Sequence, residues 1–275
     1  MLEFFTFRQE YLPLALLAAA LVLLVPFACS LRLKLISYRL STPKITAPLR
    51  IAVLSDLHSS SFGKNQKKLV ELVEKTAPDL VVFPGDTVDD LRPEEPAFCL
   101  LRQLAANHPC LLVFGNHEYR THRLSALKKQ LEELGVTVLE NCGTDLDPIK
   151  VHGLSDPEGA EELFGLRLQE LAKGVDPHKF NILLTHRPER FEEYLPYGFD
   201  LVLCGHTHGG QWRLPGVIEG LFATGQGLFP TYVGGSYTQN GCRMIVSRGL
   251  SKKHILIPRI FNRPEVVLVH ITPKQ

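Results

Sequence analysis

The sequence predicts an α/β protein whose central layer is joined by a second, β-rich sheet. Two patterns carry this expectation. Short β-branched and apolar runs alternate with helical stretches through residues 50–204, and the tail then returns to strands with no helix between them. A third observation concerns the strand ends. Five segments place metal-seeking residues there: Asp56-Leu57-His58, Gly85-Asp86, Gly115-Asn116-His117-Glu118, Thr185-His186 and Gly205-His206-Thr207-His208.

The elements follow in order. Residues 50–54 form an apolar run suited to a buried strand. Residues 65–75 carry Leu69, Val70, Leu72 and Val73 on a helical stripe that Pro78 ends. A strand at 80–83, a helix at 96–107, a strand at 110–114 and a helix at 123–134 closed by Gly135 repeat the unit. Short strands at 136–139 and 149–151 precede a helix at 161–172 and a strand at 181–184. A helix at 188–195 and a strand at 201–204 complete the alternation, and 244–247 and 265–271 read as the closing strands. The glycine-rich stretch 205–241 is long for a loop without a helix, which marks functional loops. Its aromatics, Trp212, Phe222, Phe229 and Tyr232, either meet a membrane or substrate or form a satellite core. No internal repeat is visible, and residues 49–275 read as one domain.

The 275 residues are 45% hydrophobic and 21% charged, a globular balance. Residues 1–48 hold five of the 30 basic and two of the 29 acidic residues, so the remainder is close to neutral. No broad nucleic-acid-binding surface is expected, and no nucleic-acid partner. Six cysteines lack zinc-ribbon spacing and mostly sit in apolar runs, as buried thiols do.

Residues 11–31 are uncharged, long enough at about 1.5 Å per residue to cross a hydrocarbon core of about 30 Å. The preceding region, with Arg8 against Glu3 and Glu10, lacks the positive charge of a signal peptide, and Phe27 stands where a lipoprotein signal needs a small residue. We therefore expect a short flank at 1–10, a single-pass transmembrane helix at 11–31 and a juxtamembrane linker or first edge strand at 32–48. Arg32, Lys34, Arg39 and Lys44 follow the span and only Arg8 precedes it, which puts the catalytic part on the cytoplasmic side of the cell membrane.

Apart from His117 and Glu118, the five strand-end segments supply two Asp, one Asn and four His as candidate ligands, with Asp86 able to bridge. Such donors suit Mn, Fe or Zn, and the absence of Cys among them argues against a structural zinc site. In an extended segment, residues i and i+2 face the same side. Asp56 with His58, and His206 with His208, are expected to reach one metal or two adjacent metals in this way. Two divalent ions about 3.5–4 Å apart activate a water and clamp phosphate oxygens, so a phosphoester is the substrate class that fits. His117, beside Asn116, could donate a proton to a leaving oxygen.

The ordered set DLH, GD, GNHE, TH and GHTH resembles the calcineurin-like metallophosphoesterase superfamily. The longer strings Gly205-His206-Thr207-His208-Gly209-Gly210-Gln211 and Val246-Ser247-Arg248-Gly249-Leu250 resemble its membrane-associated bacterial YkuE- and YaeI-like branch. The resemblance implies a four-layer α/β/β/α sandwich. It implies one metal on Asp56, His58, Asp86 and His208, and a second on Asp86, Asn116, His186 and His206. It gives His117 the catalytic role.

The function expected is that of a membrane-anchored, metal-dependent phosphoester hydrolase. It would cleave a phosphodiester, phosphomonoester or pyrophosphate bond by attack of a metal-bound hydroxide. Its partners would be a phosphoester substrate, lipid-linked given the anchor, and the bilayer itself. Alternatives are a UDP-2,3-diacylglucosamine pyrophosphatase-like enzyme, a nuclease, disfavoured by charge, and a non-catalytic scaffold, disfavoured by the complete ligand set. Around the site, Glu118 is expected to orient a histidine, Arg187 to form a salt bridge, and His152 to line the pocket or sit in an ordinary loop.

Overall fold

The computed structural model describes residues 13–14, 16, 24–158, 160–252 and 258–274. Two six-stranded mixed sheets form its centre. We number strands β1 (Lys34–Thr42), β2 (Leu49–Val53), β3 (Leu80–Pro84), β4 (Cys110–Val113), β5 (Val136–Val138), β6 (Cys142–Leu146) and β7 (Ile149–Gly153). They continue as β8 (Phe180–Leu184), β9 (Leu201–Cys204), β10 (Phe222–Ala223), β11 (Gly227–Leu228), β12 (Gly235–Gln239), β13 (Cys242–Val246) and β14 (Glu265–Pro273). The helices are α1 (Lys67–Glu74), α2 (Glu95–Ala105), α3 (Asn116–Arg120), α4 (Leu124–Glu133), α5 (Phe164–Ala172) and α6 (Phe191–Tyr194).

The first sheet runs β1-β14-β2-β3-β4-β5 and the second β12-β13-β9-β8-β7-β6. Within them β2 to β5 are parallel, as are β7, β8, β9 and β13. Strand periodicity then sorts the side chains. Ile51 and Val53 of β2, Val82 of β3 and Val113 of β4 meet Ile182 and Leu184 of β8 and Leu201 and Leu203 of β9 between the sheets. Ala52, Val81 and Leu112 face the other way, onto Leu69 and Val73 of α1, Leu101 of α2 and Leu131 of α4. Leu183 and Val202 likewise cover Phe164 and Leu168 of α5 and Phe191 of α6. The layers are therefore helix, sheet, sheet, helix.

The elements missed in the sequence are the ones without apolar periodicity. Strand β6 is exposed along most of its length, as is the edge strand β12, and α3 has five residues and no apolar stripe. Residues 34–42 are not a linker but the edge strand β1, paired in parallel with β14. The 205–241 stretch holds the β10–β11 hairpin and β12 rather than unbroken loop.

The span expected at 11–31 lies mostly outside the described residues. Among the described residues, no helix is long and apolar enough to cross a membrane. Residues 24–28 are helical, and Phe261 donates its backbone N–H to the Ala28 carbonyl at 2.7 Å.

The packing between the sheets generates a test. Replacing fully buried Ile182 by Ala should cost about 2–5 kcal/mol through lost burial and a residual cavity. Leu166→Ala on the exposed face of α5 should change stability by less than about 0.5 kcal/mol. Urea unfolding midpoints would measure both, and equal effects would refute the two-sheet core.

Candidate metal centre

Each of the five segments follows a strand, and those strands run parallel within their sheets, so the segments emerge at one edge of the sandwich. Asp56 follows β2, Asp86 β3, Asn116 β4, His186 β8 and His206 β9. Two groups form there, Asp56 with His58 and His208, and Asp86 with His186 and His206, and a third, His58 with Asp89 and His117, lies at the rim. Within each group the ligand-type atoms lie within 4.8 Å of one another. Asp86 joins the first two. Its Oδ2 lies 3.5 Å from His58 Nε2 and 3.2 Å from His186 Nε2, while Oδ1 accepts the His117 backbone N–H at 2.9 Å.

The extended geometry expected for Asp56-Leu57-His58 and His206-Thr207-His208 is corrected by the backbone. Asp56, His58, Asp86, His206 and His208 all have φ between 44° and 70°, the left-handed region. Each such residue costs about 1–3 kcal/mol, which the surrounding packing must offset. The turns bring Asp56 and His58 into one group but send His206 and His208 to different ones. Two glycines make room. A Cβ on Gly85 would sit 2.8 Å from His186 Cγ and 2.9 Å from the Gly115 Cα, and one on Gly205 would strike Ser55 and Asp56.

Hydrogen bonds at the far side of the rings set the histidine tautomers. His58 Nδ1 meets Asp89 Oδ2 at 3.0 Å, and His186 Nδ1 meets the Pro84 carbonyl at 2.8 Å. With those nitrogens donating, each ring turns an Nε2 lone pair inward. His58 Nε2 faces His208 Nε2 at 3.3 Å, and His186 Nε2 faces His206 Nδ1 at 3.0 Å. Asn116 Oδ1 is buried without a hydrogen-bond partner. Converging imidazole nitrogens, two buried carboxylates and an orphan amide oxygen fit a pair of divalent cations.

The electrostatics agree. Burial raises the Asp86 carboxyl, but His186 and His58 outweigh it and hold the group well below the usual carboxylate range. Burial lowers His186, yet the Asp86 carboxylate more than compensates and lifts it to about 10. Burial, His186 and Arg187 together keep His206 neutral, its pKa well below the ordinary value. A proton on His186 thus balances the buried Asp86 carboxylate in the metal-free site, the place a divalent cation would take.

His117 stands at the rim with 24% of its side chain exposed. Its ring is edge-on to His58, centroids 4.3 Å apart, and Nδ1 lies 2.6 Å from Asp90 Oδ1. Asp89 and Asp90 escape the sequence reading. They follow Asp86 by three and four residues, but paired acids in a loop carry no signature until their histidine partners are known.

Glu118 does something other than orient a histidine. Its carboxylate accepts four backbone N–H groups, from Asp86 (3.0 Å), Thr87 (2.6 Å), Val88 (2.8 Å) and Gly115 (2.9 Å), and so fastens the β3 loop to the β4 loop. Burial and the Asp86 charge push its pKa up to about 7 against those donors. Arg187 forms the expected ion pair, with Nε 2.6 Å and Nη2 2.9 Å from the Asp156 carboxylate, and its Nη1 also reaches His206 Nε2 at 2.9 Å. His152 is neither pocket nor loop. It is buried on β7 against Phe199 and Asn181. Tyr232 packs on the outer core, whereas Trp212, Phe222 and Phe229 are exposed.

Residues 49–210 match the family model of the calcineurin-like phosphoesterases. The chain belongs to that family. The match spans β2 to just past His208, and so includes every segment of the centre. Phosphodiesterase YaeI of Escherichia coli is 31% identical over 86% of this chain and 88% of its own length. The metallophosphoesterase YkuE of Bacillus subtilis is 28% identical, over 80% and 77%. A longer metallophosphoesterase from Campylobacter jejuni is 32% identical over 62% of this chain, which spans 46% of that relative. In fold, the chain resembles the phosphopantetheinyl hydrolase of Mycobacterium tuberculosis, with a TM-score of 0.51 at 15% identity over 75% of this chain and 92% of that one.

The Glu118 bracket can be tested directly. Glu118→Gln keeps the shape but turns an NH₂ toward two backbone N–H donors. The loss should be about 1–3 kcal/mol, with reduced metal occupancy, read by urea midpoint and elemental analysis. An unchanged midpoint would show that the loops hold without it.

Proposed function

We propose that this chain is a membrane-anchored metallophosphoesterase acting on phosphodiesters, with two divalent ions of Mn, Fe or Zn as its cofactors. The observation that carries the reading is Asp86 Oδ2, which faces both histidine groups at once. Asp56, His58, His208 and Asp86 would hold one ion, and Asp86, Asn116, His186 and His206 the other. Such ions, when bound, supply Lewis acidity for a water and for the phosphate oxygens. The similarity to a relative named a phosphodiesterase, YaeI, supports the diester preference. Residues 11–31 would anchor the chain, with the phosphoesterase domain that follows on the cytoplasmic face, where a lipid-linked phosphoester is within reach.

The residues of this chain perform the remaining steps. Asp90 holds the His117 Nδ1–H at 2.6 Å, leaving Nε2 as the nitrogen that carries a proton to the leaving oxygen. Asp86 Oδ1 accepts the backbone N–H of the same residue, which ties His117 to the carboxylate that would serve both ions. Asp89 fixes His58 in the same manner. Arg187, clamped by Asp156, adds positive charge beside His206, where a phosphate would arrive.

The first measurement is hydrolysis of bis-p-nitrophenyl phosphate and p-nitrophenyl phosphate by the detergent-solubilised chain, stripped of metal and reloaded with Mn²⁺. Metal-dependent cleavage of the diester is expected; activity on the monoester alone would overturn the diester assignment. Asp86→Asn should lower turnover by at least about 100-fold with the fold unchanged by circular dichroism. Near-normal turnover in that variant would refute the shared carboxylate.

His117→Asn separates catalysis from binding. It should retain two metals per chain while lowering kcat by about 10²–10⁴-fold. Loss of metal on that change would make His117 a ligand instead.

A further inference from the structure

Two cavities flank the segment that leaves the apolar N-terminal stretch. One, of about 620 Å³, is lined by Leu31, Leu33, Phe62, Lys68, Lys75 and Lys252. The other, of about 570 Å³, is lined by Phe27, Phe261, Pro215, Lys34, Arg248 and Arg263. Arg32 lines both. Seven basic side chains line the two cavities, Arg32 and Lys34 among them, against Glu71 in the first and the buried Glu265 that pairs with Arg248 at the second. Each cavity pairs that charge with apolar walls.

The exposed end of the 205–241 stretch adjoins the second cavity. Pro215 forms part of its wall, and Trp212 pairs through an isolated β-bridge with Ile260, the neighbour of Phe261. Phe261 in turn packs edge-on against Phe27, ring centroids 6.2 Å apart. Here Trp212 is 41% exposed, Val217 75% and Phe27 71%, and Leu214 is open as well. Large apolar side chains held toward solvent beside a basic collar are the composition of a surface that sits in a headgroup layer.

We propose that this face docks on a bilayer of anionic phospholipids, the two basic cavities receiving lipid phosphates while Trp212, Leu214 and Val217 enter the interface. Charge complementarity selects the occupant, since a second copy of the chain would set one basic collar against another. The face also abuts the metal centre. Asn262, one residue beyond Phe261, donates to the His208 carbonyl at 2.7 Å and to the Gln211 carbonyl at 3.1 Å. Docking would therefore fix the mouth of the centre at membrane level, where a phosphoester carried by a lipid is presented. This deepens the membrane-anchored reading given above and rests on it.

The chain contains a single tryptophan, so Trp212 reports the docking without labelling. The full chain would be reconstituted into vesicles of brominated phosphatidylcholine, alone or with equimolar phosphatidylglycerol. With phosphatidylglycerol, Trp212 emission should shift to the blue and be quenched by the brominated chains; without it, or in high salt, the quenching should fall severalfold. Replacing exposed Arg32, Lys34, Lys68 and Lys75 together by Gln should weaken docking by about fivefold per charge removed. Leu214→Ser with Val217→Ser provides a second route to the same loss without touching charge.

Quenching that is equal with and without phosphatidylglycerol, or intact in the four-Gln variant, would overturn the proposal. Shielding of Trp212 that needs no anionic lipid and grows with protein concentration would assign the face to a second copy, and would also overturn it. Flotation on a density gradient separates the two membrane readings. A chain that floats with vesicles while Trp212 stays exposed is anchored but undocked, whereas one that does not float has lost the anchor itself.

Discussion

The arrangement turns on one carboxylate. Asp86 is buried where two sheets end, its Oδ2 set between His58 and His186 and its Oδ1 tied to the backbone at His117. A buried charge in that position needs a compensating cation, because desolvation of an unpaired carboxylate costs several kcal/mol. Much around it serves that need. Both histidines are turned by hydrogen bonds on their outer nitrogens, the glycines at 85 and 115 leave space for the ring and the carboxylate, and Glu118 holds the two loops that carry the centre.

The sandwich explains why such a centre can be built at all. Five residues in left-handed backbone conformations are a local liability, and an isolated peptide would relax out of them. Here each of those turns is anchored at the end of a strand whose side chains are buried on both faces. Sheet packing thus offsets the strain of the turns, and the turns in turn place polar groups where the sheet alone would expose none. Helices on the outer faces leave the strand ends uncovered, which is the edge the centre occupies.

Around this rigid part lie surfaces of a different character. The β10–β11 region and residues 24–34 present apolar and basic side chains to solvent, linked to the centre through the residues before β14. The chemistry and the proposed docking face are therefore neighbours, with Asn262 forming the connection between them.

The sequence alone determined the alternation of strands and helices and the seven residues proposed as ligands, because both are local. Apolar periodicity reports which faces are buried, and Asp, Asn and His at strand ends keep their identity whatever the topology. Elements without apolar periodicity, such as β6, β12 and α3, left no such trace. Tertiary structure decided the rest. It decided that left-handed turns, rather than an extended strand, carry His206 and His208 to the two separate groups the resemblance implies. It decided that Asp89 and Asp90 serve His58 and His117, that Glu118 binds backbone rather than imidazole, and that His152 is a core residue. Each of these depends on which loops meet across the gap between two sheets. That is a distance in space, and spacing along the chain does not encode it.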